Sequence, residues 1–319
     1  MADHDVDHRL TSDPESDHRV WNNDHEPVLT VDPPAVVELE CPDANGGDVT
    51  PATTAADLRG AEFPGHLLTG PIAVEGARPG DVLEVELLSI SHRGYGYTIV
   101  PPGESGGGLL PGEFPEPAIH HWDLDGEVGK FVAGIEVPLA PFPGTIGVAP
   151  ARDGDLPTTP PRAVGGNMDV TALTEGATLY LPVEVAGALF SVGDGHAAQG
   201  NGEVCLTAIE APLELTARLD IRDDIDIDQP RLRSADPPVT EGPTFATTGI
   251  APDLMDGAKK AIRGMIDHLT ANYDLSRTEA YMLCSVTVDL QINEVVNEPN
   301  WVVSAHVPER PLEPARTDK

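Results

Sequence analysis

The stretch GDGHAAQGNGEV, residues 193–204, sets Asp194, His196, Gln199 and Glu203 among glycines and alanines. In an extended segment, side chains two positions apart share a side, so Asp194 and His196 face the same way. A carboxylate beside an imidazole is a pair that can hold a divalent metal. Glu203 can complete the ligand set or serve as a general base. A tight turn requires glycine and asparagine; it does not require His, Gln and Glu as well. The predicted strand TLYLPVEVAGALFSV leads into this stretch and EVCLTAIEA leads out of it. It therefore reads as a turn between two core strands, where a rigid scaffold presents reactive groups.

Two other stretches carry candidate chemistry. In GGNMD, residues 165–169, paired glycines let the backbone approach a neighbour closely. Asn167 and Asp169 can then grip a small polar substrate or support a metal ligand, or simply stabilise a turn. In HHWDLDG, residues 120–126, Asp123, Asp125 and Gly126 have the D-x-D-G spacing that begins a calcium loop, without the rest of that loop. Two imidazoles and an indole beside Asp123 read either as a pocket wall or as an exposed edge. Asp153-Gly154-Asp155 reads as an ordinary turn.

Familiar nucleophiles are poorly represented. GESGG at 103–107 resembles a serine-protease loop, but it lies too early for the upstream His and Asp of the trypsin-like order, and low-complexity glycine accounts for it. The lysines are Lys130, Lys259, Lys260 and Lys319, none beside a plausible nucleophile, which disfavours Ser-Ser-Lys and Cys-Glu-Lys machinery. No GxGxxG or P-loop is present.

The elements that must position these groups are mostly strands. Residues 1–26 are acidic, unpatterned and contain His4, His8, His18 and His25, and read as a disordered tail. Residues 27–222 read as a β-rich catalytic body. There Leu83, Val85 and Leu87 alternate with Glu84 and Glu86, and Leu213, Leu215, Ala217 and Leu219 alternate with Glu214, Thr216, Arg218 and Asp220. The glycine- and proline-rich residues 92–118 read as one long loop, and FVAGIEVPL as a further strand. Residues 223–319 read as an α+β part packed on the body. Leu254, Ala258, Ile262, Met265 and Leu269 recur at helical spacing, and Ser276-Arg277-Thr278-Glu279 is a capping box opening a second helix. The expected fold is mainly β, a sandwich or barrel-like body with a smaller α+β C-terminal part.

Composition narrows the setting. Acids number 53 against 19 lysines and arginines, a net charge of −34 spread along all 319 residues. Such a surface repels nucleic acid and anionic membranes, and suits a protein working in high salt. The most apolar stretch, FVAGIEVPLAPF, is too short and too broken by Glu136 and prolines to span a bilayer. Three separated cysteines, Cys41, Cys205 and Cys284, point to a reducing compartment. The N-terminus has neither the basic start nor the apolar run of a signal peptide, so a cytoplasmic location is expected.

HLLTGPIAVEGARPGDVLEVELLSI, PFPGTIGVAP, GGNMDV, TLYLPVEVAGALFSVGDGHAAQGNGEVCLTAIEA and AYMLCSVTVDLQI resemble the acetamidase/formamidase family, over residues 28–307. The GDGHAAQG-x-GE stretch is the most specific match; family members often carry Asp where this chain has Asn201. The resemblance implies hydrolysis of a small linear amide to carboxylate and ammonia, a mainly β fold, homo-oligomers and a bound divalent metal, zinc or else calcium. It carries over to Asp194, His196, Gln199, Gly200 and Glu203, to Asn167 and Asp169, to His66 before the TGP turn, and more loosely to Asp123. With no nucleophilic side chain evident, a metal-activated water is the economical nucleophile, its ion held by Asp194 and His196 with His66 and Asp123 as further candidate ligands, and Glu203 moving the proton. Asn167 or Gln199 would orient the amide. The competing readings are a β-sandwich that binds a small polar ligand or calcium without catalysis, and a hydrolase of other C–N bonds.

Overall fold

A computed structural model describes residues 5–61, 63–102, 108–235, 242–310 and 312. His4 and the GESGG stretch lie outside them. Among the described residues, nine strands make one sheet and eleven make a second, with two α-helices near the C-terminus. The nine-stranded sheet runs His8–Leu10, Ala35–Cys41, Leu213–Arg222, Val82–His92, Thr178–Pro182, Arg231–Ser234, Thr244–Ala251, Trp301–Pro308, Asp289–Glu294. The second sheet holds Tyr95–Val100, Ile209–Glu210, Phe190–Ala198, Phe142–Gly147 and Gly165–Asn167 in neighbouring order, with Leu68–Val74 also paired to Phe190–Ala198.

The alternation read from the sequence is what joins the two sheets. Leu83, Val85 and Leu87 with Leu213, Leu215, Ala217 and Leu219 are all buried in one core with Ile72, Phe142, Ile146, Phe190 and Val192 of the second sheet. Glu214 and Arg218 point to solvent on the opposite face. The fold is thus mainly β, with a sandwich-like core. The first helix, Leu254–Asn272, begins on Asp253, whose side chain accepts from the Asp256 N–H. Its buried residues are Gly257, Ala261, Met265, Ile266 and Leu269, so of the expected stripe Met265 and Leu269 are buried while Leu254, Ala258 and Ile262 are half-buried. The second, Arg277–Thr287, opens on the expected Ser276–Glu279 capping box.

Several local expectations are corrected. Residues 5–26 are not a free tail: His8–Leu10 pairs with Ala35–Cys41, Asp17–His18 with Leu68–Val74, and Val20–Trp21 with Leu156–Pro157. The acidic residues hide this from the sequence, but Trp21 is buried and His18 accepts a place beside Ser191, Nε2 to Oγ 2.8 Å. The expected loop 92–118 contains the strand Tyr95–Val100, whose β-forming Tyr97 and Ile99 are both buried. FVAGIEVPL is broken by a short 3-10 turn at Val132–Gly134 before the strand Glu136–Pro138. The long run TLYLPVEVAGALFSV is two strands, Thr178–Pro182 and Phe190–Ala198, separated by a turn in which Ala188 and Leu189 take positive φ. The residues after 223 extend the nine-stranded sheet, so the C-terminal third shares that sheet with the body.

Candidate active site

The strand Phe190–Ala198 is buried along its whole length. GDGHAA is therefore part of a strand, and the turn is confined to the residues that follow it. Gly193 and Gly195 explain why the stretch needs glycine: a Cβ there would sit 2.1 Å from the Leu67 carbonyl oxygen and 2.3 Å from that of Ala211. With neighbouring backbone pressed against the glycines, Asp194 and His196 are turned into the interior. EVCLTAIEA is likewise shorter as a strand than expected, only Ile209–Glu210, because Glu203 and Leu206 adopt positive φ in the preceding turn.

His196 is the hub. Its Nε2 lies 3.3 Å from Asp194 Oδ1 and 3.4 Å from Glu210 Oε1, and its Nδ1 lies 3.7 Å from Asp169 Oδ1. Sheet register produces this convergence: His196 stands opposite Phe142 on one side and Glu210 on the other, and Thr145 stands opposite both Asn167 and Gly193. Two sets of three ligand atoms, from Asp169, His196 and Glu203 and from Asp194, His196 and Glu210, each lie within 4.8 Å of one another. Asp169, Asp194 and Glu203 all hold φ between about 48° and 58°. Non-glycine residues in the left-handed region carry strain of about 1–3 kcal/mol each, which a scaffold sustains most often at functional sites.

The electrostatics follow from burying so many acids together. Burial and the repulsion of Asp194 raise the Asp169 carboxyl well above its ordinary range. Burial and Asp169 do the same to Glu203. Burial also raises Glu210, against the pull of His196. Burial works against a charge on Asp194 too, but His66, His196 and the Thr145 hydroxyl prevail and hold that carboxyl below its usual value. For His196, burial opposes the imidazolium, and the flanking Glu210 and Asp194 carboxylates outweigh it. The set has a surplus of negative charge that a cation would relieve.

The donor set fits a divalent metal on two further observations. Asp169 Oδ1, both ring nitrogens of His196 and Glu210 Oε2 are buried and make no hydrogen bond. Space is also kept open beside them: a Cβ on Gly144 would stand 2.5 Å from His196 Cε1, 2.7 Å from Asp169 Oδ1 and 2.8 Å from Asp194 Oδ2.

The surrounding residues orient this centre. Thr145 Oγ1 lies 2.9 Å from Asn167 Oδ1 and 3.1 Å from Asp194 Oδ2, and Asn167 Nδ2 donates to the Thr159 carbonyl at 3.0 Å. His66 Nε2 stands 3.9 Å from Asp194 Oδ2. Gln199 acts on the frame: its Nε2 donates to the carbonyl oxygens of Asp169 at 3.2 Å and Asn293 at 3.4 Å. A cavity of about 430 Å³ opens onto the centre, with His66, Asn167, Asp194, Glu203, Glu210 and Asn297 in its wall.

Of the residues singled out in the sequence, Asp194, His196, Glu203, Asn167, Asp169, Gln199 and His66 assemble here. Asp123 does not. It lies on the strand Ala118–Asp125, exposed, 3.6 Å from Lys130 Nζ. Three ladder steps, His196–Glu210–Tyr97–His121, separate that strand from His196, about 14 Å at ~4.8 Å per step. Sequence reasoning missed Glu210, which stands at an alternating position in EVCLTAIEA, and Asn297, whose Nδ2 donates to Asp169 Oδ2 at 2.8 Å. Nothing in QINEVVNEP marks Asn297, because its partner is 128 positions away.

Fold and centre together define a two-sheet β protein with a buried, acid-rich, metal-ligand-type site at the floor of a cavity. The chain belongs to the acetamidase/formamidase family, whose model matches residues 3–157 and 152–312. It is 30% identical over 247 residues to the acetamidase of Mycolicibacterium smegmatis, covering 59% of this chain and 61% of that protein. It is 30% identical over 258 residues to the formamidase of Methylophilus methylotrophus, covering 64% of this chain and 63% of that protein. The chain thus spans about three fifths of the length of the curated relatives it matches. The solved structure of a predicted acetamidase/formamidase from Thermoanaerobacter tengcongensis superposes with a TM-score of 0.86 at 28% identity, covering 97% of each chain. No described helix is long and apolar enough to cross a membrane.

Proposed function

We propose that this chain hydrolyses the C–N bond of a short linear amide, converting the amide and water to a carboxylate and ammonia. The observation that carries the reading is the convergence of the cavity-lining Asp194, Glu203 and Glu210 around the buried His196, in a protein whose relatives are named acetamidase and formamidase. Side-chain nucleophiles are unfavourable there. Burial and the Asp194 carboxylate push the nearby Cys41 thiol upward, away from thiolate, and no lysine is among the cavity residues.

The two faces of His196 divide the acids by role. Nε2 faces Asp194 and Glu210, so these three are the residues we assign to holding a divalent ion. Nδ1 faces Asp169 Oδ1 at 3.7 Å, the place a carboxylate takes behind a ligating histidine, so we assign Asp169 to positioning the ring. An imidazole in the donor set favours zinc over calcium, which prefers all-oxygen sites. When bound, such an ion supplies Lewis acidity and lowers the pKa of water toward ~7.

The remaining work falls to the protein. Glu203, raised by burial and Asp169, takes the proton from the attacking water and returns it to the amide nitrogen as the C–N bond breaks. Asn167, held by Thr145 and Thr159, and His66 orient the amide against the floor. The released carboxylate leaves readily from a site lined with negative charge. Ammonia release from a panel of linear amides, run in high salt beside a metal-content assay, tests the reading. Turnover with about one equivalent of zinc per chain is expected. Verified metal-free protein that turns over at full rate contradicts the metal assignment, and no ammonia from any amide contradicts the function. The same samples, sized by light scattering, are expected to be homo-oligomers.

A further inference from the structure

Burial sorts the cavity into two zones. The floor groups Asn167, Asp194, Glu203, Glu210 and Asn297 are all buried. Toward the opening Phe63, 44% exposed, and the exposed Ala61 stand with the half-buried Ala44, Pro102 and Leu206, beside the half-buried polar residues Asn45, His66, Thr159 and Thr207. No lysine or arginine lines the cavity among the described residues.

The size of the space is out of proportion to the smallest amides. Acetamide has four heavy atoms, which at ~30 Å³ each, the share of one water in the liquid, occupy about 120 Å³. The cavity measures about 430 Å³. Cavities of about 300–1,000 Å³ ordinarily enclose larger ligands, their apolar walls burying the ligand body and a few polar groups fixing its orientation. Acetamide bound at the floor would leave Phe63, Ala61 and Leu206 facing water.

We infer that the preferred substrate is a primary amide with a neutral, apolar acyl substituent of about four to seven carbon atoms, its carboxamide on the polar floor and its substituent against Phe63 and its apolar neighbours. This rests on the amidase reading above and adds the substrate class. The chemistry is unchanged: water adds to the carbonyl carbon, the C–N bond breaks, and the proton from water leaves with ammonia. What changes is where binding energy comes from. Each buried methylene is worth about fourfold in affinity or kcat/KM.

The test is kcat/KM by ammonia release for acetamide, hexanamide and benzamide, on the wild-type protein in high salt. We expect hexanamide and benzamide to exceed acetamide by at least tenfold. Phe63→Ala should reduce the hexanamide-to-acetamide ratio at least fivefold, and Phe63→Leu should restore most of it. Acetamide turned over as well as or better than the longer amides overturns the substrate class and leaves the amidase reading standing. A ratio unmoved by Phe63→Ala also overturns it. No ammonia from any of the three overturns the amidase reading and this inference together.

Discussion

Asn297 reaches across 128 positions of sequence to donate its side-chain N–H to Asp169 Oδ2 at 2.8 Å. One oxygen of Asp169 is thereby committed, and the other is left facing His196 Nδ1. The loop that carries Asn297 is itself pinned, since its backbone N–H and that of Val296 donate to Glu294. The C-terminal third thus completes the site, although the chemistry-bearing motifs lie in the first two thirds.

Asn297→Ala should therefore act through Asp169. It strands a buried carboxylate oxygen, a cost of about 1–3 kcal/mol in stability. Loss of a group that orients a ligating histidine's partner typically lowers metal affinity or activity 10–100-fold. Metal competition against a chelator should reveal weaker retention alongside the lower kcat. A variant that is destabilised but holds metal as tightly as the wild type would reduce Asn297 to a structural role.

Gly144→Ala places a methyl group in the space between His196, Asp169 and Asp194. Overpacking of this kind costs about 1–3 kcal/mol, and here it also displaces the groups assigned to the metal. Both metal content and amide turnover should fall more than 100-fold in protein that still folds. Unchanged values of both would mean that the space is not used.

The sandwich was legible because Leu213–Leu219 and Leu83–Leu87 alternate with period two, and the helices because apolar spacing and the Ser276–Glu279 box mark them. Asp194 and His196 were legible because polar groups stand between glycines that other backbone requires. The N-terminal strands were not, since their stability comes from pairing with Ala35–Cys41 and Leu68–Val74 rather than from their own acidic residues. Asp123 misled because its His-Trp-Asp setting looks like a pocket wall, whereas its carboxylate answers Lys130 in solvent. Glu210 and Asn297 could be recognised only once the register put them beside His196 and Asp169.

His18 links the N-terminal segment to pH. Burial pushes its imidazole down to about 4, so the folded protein resists a proton that the unfolded chain accepts near 6.5. Stability present above pH 6.5 is therefore lost as pH falls toward 4, at up to about 1.4 kcal/mol per pH unit from this group. His18→Gln should flatten the fall of Tm between pH 6.5 and 4 relative to the wild type. Parallel curves for the two proteins would show that His18 does not contribute.

A net charge of −34 should make stability depend on salt. Molar KCl shortens the Debye length to about 3 Å and removes most of the repulsion between surface carboxylates. The expected result is a Tm several degrees higher in molar KCl than in dilute buffer. Equal Tm values in the two would show that the surface charge does not set stability.

The most direct test concerns Glu203, the buried acid in the left-handed turn after the GDGH strand. Glu203→Gln keeps the shape and removes the proton carrier. This variant should fold, retain its metal and release ammonia from amides at least 100-fold more slowly than the wild type. Wild-type turnover by Glu203→Gln would contradict this role for Glu203.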